Sequence, residues 1–300
     1  MSSRTVSRIA VLMGGTSAER EVSLDSGMAC AAALRKKGYE VSEIDAGVDL
    51  AARLRAANPD IVFNALHGRF GEDGCVQGLL EWLGYRYTHS GVLASALAMD
   101  KAASKRVFAA AGIPVADSVI TSADAVQAGH VMPAPYVVKP NNEGSSVGIY
   151  LVKSGDTPPQ LGPDMPDEVM VEAYVAGREL SVAVLDGKAQ AVTDIIVSGW
   201  YDYDAKYNEG GSAHIVPADM PAEVYAACMD HAERAHAALG CKGLSRADFR
   251  WDEAQGLAGL FILEVNTQPG MTATSLAPEQ AAYNDLGFAE LCAALVEGAT

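Results

Sequence analysis

Three oxygen donors stand near the end of the chain on two apolar runs. Asp248 lies in Ser245-Arg246-Ala247-Asp248-Phe249, and Glu264 and Asn266 in Phe261-Ile262-Leu263-Glu264-Val265-Asn266. Oxygen-only donors suit a hard cation such as Mg²⁺, which keeps few protein ligands and completes its octahedron with water and substrate phosphates. Both runs read as strands, in which side chains at i and i+2 share a face. Glu264 and Asn266 then point together, and Arg246 lies beside Asp248. Two strands with polar residues on a solvated face would look the same, so the choice turns on whether the chain also supplies groups for phosphate.

Lys139 ends an apolar run, and Pro140-Asn141-Asn142-Glu143-Gly144-Ser145-Ser146-Val147-Gly148 follows. A lysine leaving a strand into a loop of small residues with open backbone N–H groups is a cradle for phosphate. The loop is not a Walker A motif, since G-x-x-x-x-G-K-[ST] is absent, and a plain Gly/Ser hairpin loop is the alternative. Further on, Val171-Glu172-Ala173-Tyr174-Val175 leads to Gly177-Arg178-Glu179. An apolar strand with free edge groups could take a purine ring and a later acid could meet ribose hydroxyls; an ordinary strand and turn is the other reading. The polar, aromatic segment 198–212 contains Tyr201-Asp202-Tyr203-Asp204-Ala205-Lys206-Tyr207. Long loops inside compact domains are often lids, and Lys206 could reach a terminal phosphate when this one closes and excludes water. A structural loop pinned by tyrosines is the alternative.

The elements that must position these groups alternate. Residues 8–13 form a buried strand ending in Gly14-Gly15, residues 21–37 a helix, and 41–45 and 61–64 two further strands, which predicts a parallel sheet with its functional loops at the strands' carboxyl ends. Those loops run from Gly14 to Glu21 and from Ala65 to Gly74. In them Glu19 could be a mere first-turn carboxylate and His67 a satisfied loop histidine. A second unit opens at Met99-Asp100-Lys101 with a helix to Ala111, then strands at 115–120, 136–139, 148–152 and 169–174. An antiparallel pair from 180 to 196 turns at Asp186-Gly187.

Bulk properties narrow the classes. The chain has 300 residues, room for two or three domains. Its net charge of −16, with no basic cluster, opposes nonspecific nucleic-acid binding but not nucleotide binding. No run is apolar enough for a membrane span and no signal peptide is expected. Five cysteines without CxxC spacing fit reduced thiols in a cytoplasmic protein.

Taken in order, GGTSAEREVS at 14–23, ALHGRFGEDG at 65–74, SGVLASALAMDK at 90–101, VVKPNNEGSSVG at 137–148, YDYDAKY at 201–207 and EVNTQPGMTATSL at 264–276 resemble the ATP-grasp superfamily and, within it, the D-alanine:D-alanine ligases. The resemblance implies an α/β, three-domain ATP-grasp fold: an N-terminal Rossmann-like parallel-sheet domain at 1–98, a central ATP-grasp subdomain at 99–176, and a C-terminal one at 177–300 with the lid 198–212 and the metal site. It implies that ATP phosphorylates one D-alanine and the amine of a second attacks the acyl phosphate, for peptidoglycan precursor synthesis in the cytoplasm by a homodimer.

Residue by residue, the resemblance gives Lys101, Lys139, Gly144, Ser146 and Lys206 to the ATP phosphates, Glu172, Ala173, Tyr174 and Val175 to adenine, and Glu179 to ribose. Asp248, Glu264 and Asn266 match the ligands of Mg²⁺ or Mn²⁺, two ions in all. Arg246 and the N–H of Gly270 match the oxyanion donors. Glu19, with His67 nearby, would hold the ammonium of the first D-alanine, and Ser275 and Leu276 the carboxylate of the second. Glu19, Ser145 and Tyr207 match a hydrogen-bonded trio, and Tyr207 favours an amine nucleophile over a hydroxy acid. The chain departs from the family's common wording at Gln268, where serine or proline is frequent, and at 214–217. Another ATP-grasp carboxylate-amine ligase and a nucleotide-binding module without catalysis are the competing readings.

Overall fold

The computed structural model describes residues 7–144, 148–196, 213–272 and 274–299. Ser145, Ser146, Lys206 and Tyr207, together with the 198–212 segment, lie outside the described residues. Strands β1 (Arg8–Met13), β2 (Glu40–Asp45) and β3 (Ile61–Asn64) form a parallel sheet in the order β2-β1-β3. Alternation along β1 splits its side chains between two cores, as a period of two requires. Ile9, Val11 and Met13 face α1 (Arg20–Lys36), while Ala10 and Leu12 face α2 (Leu50–Ala57) and α3 (Cys75–Leu83). The loop between β1 and α1 is braced by Arg20, whose guanidinium meets Asp45 at 2.6 Å and donates to the Gly15 carbonyl at 2.9 Å.

Helices α4 (Val92–Met99) and α5 (Lys101–Ala110) follow. Asp100 separates them, its side chain accepting from Ala103 N at 2.8 Å, an N-cap that sets Lys101 at the start of α5. Then come β4 (Ser118–Ser122), α6 (Ala123–Ala128), β5 (Tyr136–Pro140), β6 (Tyr150–Val152) and β7 (Glu168–Ala173), in a sheet ordered β4-β7-β5-β6. The strand expected at 115–120 begins three residues later. Pro114 and Val115 pair instead with Ile262 in the next sheet, so the chain is still crossing between sheets there. The strand expected from 148 starts at Tyr150, because Gly148 has φ +71 and turns the chain. A further correction concerns β7. It is hydrogen-bonded to β4 on one side and β5 on the other, so Val171 and Glu172 offer no free edge. Tyr174 N also donates to the Pro135 carbonyl at 3.1 Å, so an open backbone N–H for a ring can begin only past Tyr174.

The third sheet, β10-β9-β8-β11-β12, is built from β8 (Arg178–Leu185), β9 (Lys188–Ile196), β10 (Ala213–Ile215), β11 (Leu244–Trp251) and β12 (Leu260–Asn266). Helix α7 (Ala222–Leu239) precedes β11. Leu180, Val182, Phe249 and Ile262 pack with Val224, Cys228 and Ala232 of α7, Phe108 of α5, and Ala94 and Ala98 of α4. Helices α8 (Leu276–Tyr283) and α9 (Phe288–Glu297) return to the first sheet. Leu291, Leu295 and Val296 share a core with Ile9, Val11, Ile61 and Phe63, and also with Ala183 and Leu244. Each fully buried Leu, Ile, Val or Phe among them stabilises by about 1.5–3 kcal/mol. The apolar contact therefore locks the first sheet to the third at the position where their loops meet.

Candidate active site

Arg246 is opposite Asn266 and Asp248 opposite Glu264 in the β11–β12 ladder, and the register then shifts so that Phe249 faces Ile262. The four polar side chains emerge on one face. Arg246 grips Asp248 with two nitrogens, Nε to Oδ1 at 2.8 Å and Nη2 to Oδ2 at 2.6 Å, and Ser181 Oγ donates to the same Oδ1 at 2.7 Å. Asn266 Oδ1 accepts from Gln268 N at 2.7 Å, a turn that holds the amide oxygen in place. Lys101 Nζ stands 3.1 Å from Glu264 Oε2 and donates to the Glu143 carbonyl at 2.6 Å. One lysine thus links the start of α5, the glycine loop and β12.

The first sheet supplies the opposite wall. Ser17 Oγ donates to the His67 carbonyl at 2.7 Å and accepts from Glu19 N at 3.2 Å, joining the two loops predicted to carry substrate. Burial lowers the His67 pKa to about 4, helped by the Arg246 charge, with a hydrogen bond to the Gln268 backbone working the other way. The imidazole is neutral at physiological pH. Glu72, not singled out beforehand, lies in the same wall. Burial and the neighbouring Glu19 push its carboxyl well above the usual range, and its Oε2 has no hydrogen-bond partner. Gly144 closes the wall from the loop side. A Cβ there would lie 2.9 Å from Glu19 Oε1 and 3.7 Å from Glu72 Oε1, so glycine is what lets the loop approach.

On the remaining side Ser275 precedes the first turn of α8 and Leu276 opens it. Ser275 Oγ accepts from Thr272 N at 2.9 Å and lies 2.8 Å from where a Gly270 Cβ would sit. A helix N-terminus of this kind presents N–H groups to a carboxylate. The structure brings Glu19, His67, Lys101, Gly144, Arg246, Asp248, Glu264, Asn266, Gly270, Ser275 and Leu276 to one cavity.

Lys139, Glu172, Ala173, Tyr174, Val175 and Glu179 do not line that cavity. Lys139 Nζ meets Glu172 Oε2 at 2.6 Å, and Lys105 pairs with the other Glu172 oxygen. Lys105 was not foreseen, although it follows Lys101 by one helical turn and so shares its face. Burial would raise the Glu172 pKa, but Lys139 and Lys105 outweigh it and hold the carboxyl below its usual value. Arg250, likewise unforeseen, gathers the next stretch: Nε donates to the Val175 carbonyl at 3.1 Å, Nη2 to the Gly177 carbonyl at 2.9 Å, and Nη1 approaches Glu179 at 3.4 Å. Its guanidinium lies 5.7 Å from the centre of the Tyr174 ring.

The donors of Asp248, Glu264 and Asn266 are two carboxylates and an amide oxygen. Among the described residues no cluster of three or more His, Cys, Asp or Glu side chains could hold a metal by itself. That set suits a hard cation that takes its other ligands from water and phosphate, and the residues fit Mg²⁺ in this respect.

Comparisons with known proteins agree with this geometry. The family model for the D-ala D-ala ligase C-terminus matches residues 107–297, and that for the N-terminus matches 46–90. The D-alanine--D-alanine ligase of Cereibacter sphaeroides is 67% identical over 300 residues, covering 100% of this chain and 98% of the relative. That of Roseobacter denitrificans is 66% identical over 300 residues, covering 100% and 94%. A crystal structure of the D-alanine--D-alanine ligase from Bacillus anthracis complexed with ATP is 30% identical, with a TM-score of 0.79 over 98% of this chain and 97% of the other. The chain, with its parallel first sheet and its polar cavity between the first and third sheets, belongs to the D-alanine--D-alanine ligase family.

Proposed function

We propose that the protein joins two D-alanine molecules to D-alanyl-D-alanine at the expense of ATP, releasing ADP and phosphate, as a step in peptidoglycan precursor synthesis. One observation carries this reading. Amine-holding groups from the first sheet, Glu19 and His67, face the same cavity as Lys101, Arg246 and the acidic pair of the third sheet. We read three structural units in this assembly, at 1–98, 99–176 and 177–300.

A carboxylate oxygen of the first D-alanine attacks the γ-phosphorus of ATP, the bond to the bridging oxygen breaks, and ADP departs with that electron pair. The deprotonated amine of the second D-alanine then attacks the acyl carbon, the acyl C–O bond breaks with its electron pair going to the departing phosphate, and the nitrogen gives its surplus proton to that phosphate or to water. Glu19 holds the ammonium of the first substrate beside His67, whose neutral ring does not repel it. Arg246 and the N–H of Gly270 stabilise the tetrahedral oxyanion, and removing one such donor typically costs about 2.7–4 kcal/mol of barrier. Ser275 and the start of α8 receive the carboxylate of the second substrate. Lys101 and Lys139 meet the phosphates, and Tyr174 and Val175 with Glu179 receive the adenosine, Glu172 standing behind them as the partner of Lys139. Asp248, Glu264 and Asn266 would hold Mg²⁺ or Mn²⁺, two ions, which would screen the negative charge of the phosphates. We assign the protein to the cytoplasm as a homodimer; no helix among the described residues is long and apolar enough to cross a membrane.

Phosphate release from ATP with Mg²⁺, measured across D-alanine, L-alanine, other D-amino acids and D-lactate, tests the reading. D-Alanine is expected to give the dipeptide. No release with D-alanine would sink it, and release with a different amine acceptor would favour another carboxylate-amine ligase.

A further inference from the structure

Gln268 is 1% exposed in the turn that leaves β12 just beyond Asn266, and its polar groups reach in several directions. The backbone N–H donates to Asn266 Oδ1. In the side chain, Oε1 accepts from Asn64 Nδ2 at 3.2 Å, while Nε2 donates to the Asn64 carbonyl and lies 3.2 Å from His89 Nδ1. The His67 ring hydrogen-bonds the Gln268 backbone as well. Asn64 is the last residue of β3 and anchors the loop that carries His67 and Glu72. Its Nδ2 also donates to the Gly71 carbonyl at 3.0 Å, and its Oδ1 accepts from Leu66 N at 3.2 Å. A second strut runs from Met271 N to Ser26 Oγ at 3.2 Å, the hydroxyl that lies 3.3 Å from His67 Nε2.

We propose that Gln268 is a positioning residue for the first substrate: its carboxamide seats the 65–72 loop against the Asn266 end of β12 and so sets where the amine-binding wall stands relative to the phosphate-transfer groups. The inference rests on the ligase reading above. Both ends of one amide engage Asn64, side chain and main chain, so the contact fixes direction as well as distance. The contact is buried, and a buried polar group that loses its partner costs more than an exposed one. A serine or proline at this position would carry no carboxamide to span the gap. Gln268 touches substrate in no step; it acts through Asn64, His67 and Asn266.

Gln268→Met keeps the side-chain length and removes the hydrogen bonds. Bisubstrate kinetics should then show the KM for the first D-alanine raised about tenfold, with KM for ATP and for the second D-alanine within about twofold. Amide hydrogen exchange across 65–72 should quicken about tenfold, while β8 and β11 stay as protected as in the parent protein. Asn64→Ala should shift the same KM and the same amides, more severely because it also frees the Gly71 carbonyl and Leu66 N, and the double variant should lose less than the sum of the two singles, because both remove the Gln268 Oε1–Asn64 Nδ2 contact. Unchanged exchange in 65–72, an equal rise in all three KM values, or additive losses in the double variant would overturn the assignment. Failure of the parent protein to use D-alanine would refute the ligase reading instead, and the exchange measurements would still decide the role of Gln268 in seating the loop.

Discussion

Glu172→Gln removes a carboxylate shared by two buried ammonium groups. The side chains are 5% exposed for Glu172, 6% for Lys105 and 9% for Lys139, so none of the three is well solvated. Breaking a buried ion pair by deleting one partner costs about 3–5 kcal/mol, because the other charge is left uncompensated. Here two cations lose their partner together. Burial already lowers the Lys105 pKa, so Lys105 can shed its proton and limit the damage to about 5 kcal/mol rather than twice that. Lys105→Met, by contrast, leaves Glu172 and Lys139 as a one-to-one pair and should cost less than half as much.

Thermal and urea unfolding of the two variants, with hydrogen exchange resolving β5 and β7, measures the difference. A loss of that size corresponds to a fall in Tm of about 10 °C or more. The pH dependence carries a sign. The Glu172 pKa is depressed in the fold, so its contribution is complete above the ordinary glutamate value and disappears as pH falls through the lower folded one. The gap between parent and Glu172→Gln should therefore close on acidification. The reasoning fails if Glu172→Gln unfolds like the parent at neutral pH, if Lys105→Met is the more damaging change, or if the gap widens in acid.

Three other outcomes are expected. Glu264→Gln should abolish phosphate release while leaving Tm within a few degrees, since it removes an oxygen we propose as a metal donor and the carboxylate charge 3.1 Å from Lys101 Nζ; near-normal turnover in Mg²⁺ would refute the ligand assignment. Burial lowers the pKa of His67 to about 4 and of His89 to about 3, both from an ordinary value near 6.5, so both are neutral in the fold. The stability that each neutral ring confers is whole above about pH 6.5 and falls by about 1.4 kcal/mol per pH unit until its folded value is reached; His231 and His236, also lowered by burial, add to the slope, so His89→Gln should flatten it by one ring's share in urea titrations, and an unaltered slope would count against neutral burial. Gly144→Ala should raise the KM for the first D-alanine by displacing the Glu19 carboxylate, with little change in Tm, and unchanged kinetics would mean that the loop is free to withdraw.

The strand-and-helix order of the first hundred residues was legible because β1 and β3 are short apolar runs, the first closed by Gly14-Gly15 and the second opened by Asn58-Pro59-Asp60, signals that act within a few residues. The shared face of Arg246, Asp248, Glu264 and Asn266 was legible for the same reason: i and i+2 on a strand share a side whatever the rest of the molecule does. The partners were not. Glu172 was read as an acid on an open edge, yet β7 lies between β4 and β5 and its carboxylate is shared by Lys139 and Lys105, residues 33 and 67 positions away in the chain. Arg250 meets 175–179 across more than seventy positions, and no local pattern announces it.

By itself the sequence determined the chemistry on offer: oxygen donors without sulfur, lysines at strand and helix ends, a glycine loop that lets backbone approach a charge. Residue type and short-range periodicity are enough for that. Tertiary structure alone decided which charges neutralise one another, that Glu72 is buried beside Glu19, and that Gln268 bridges the first sheet to the third. Those outcomes depend on burial and on contacts between residues as much as 204 positions apart, and desolvation has no value until the chain has folded around the group.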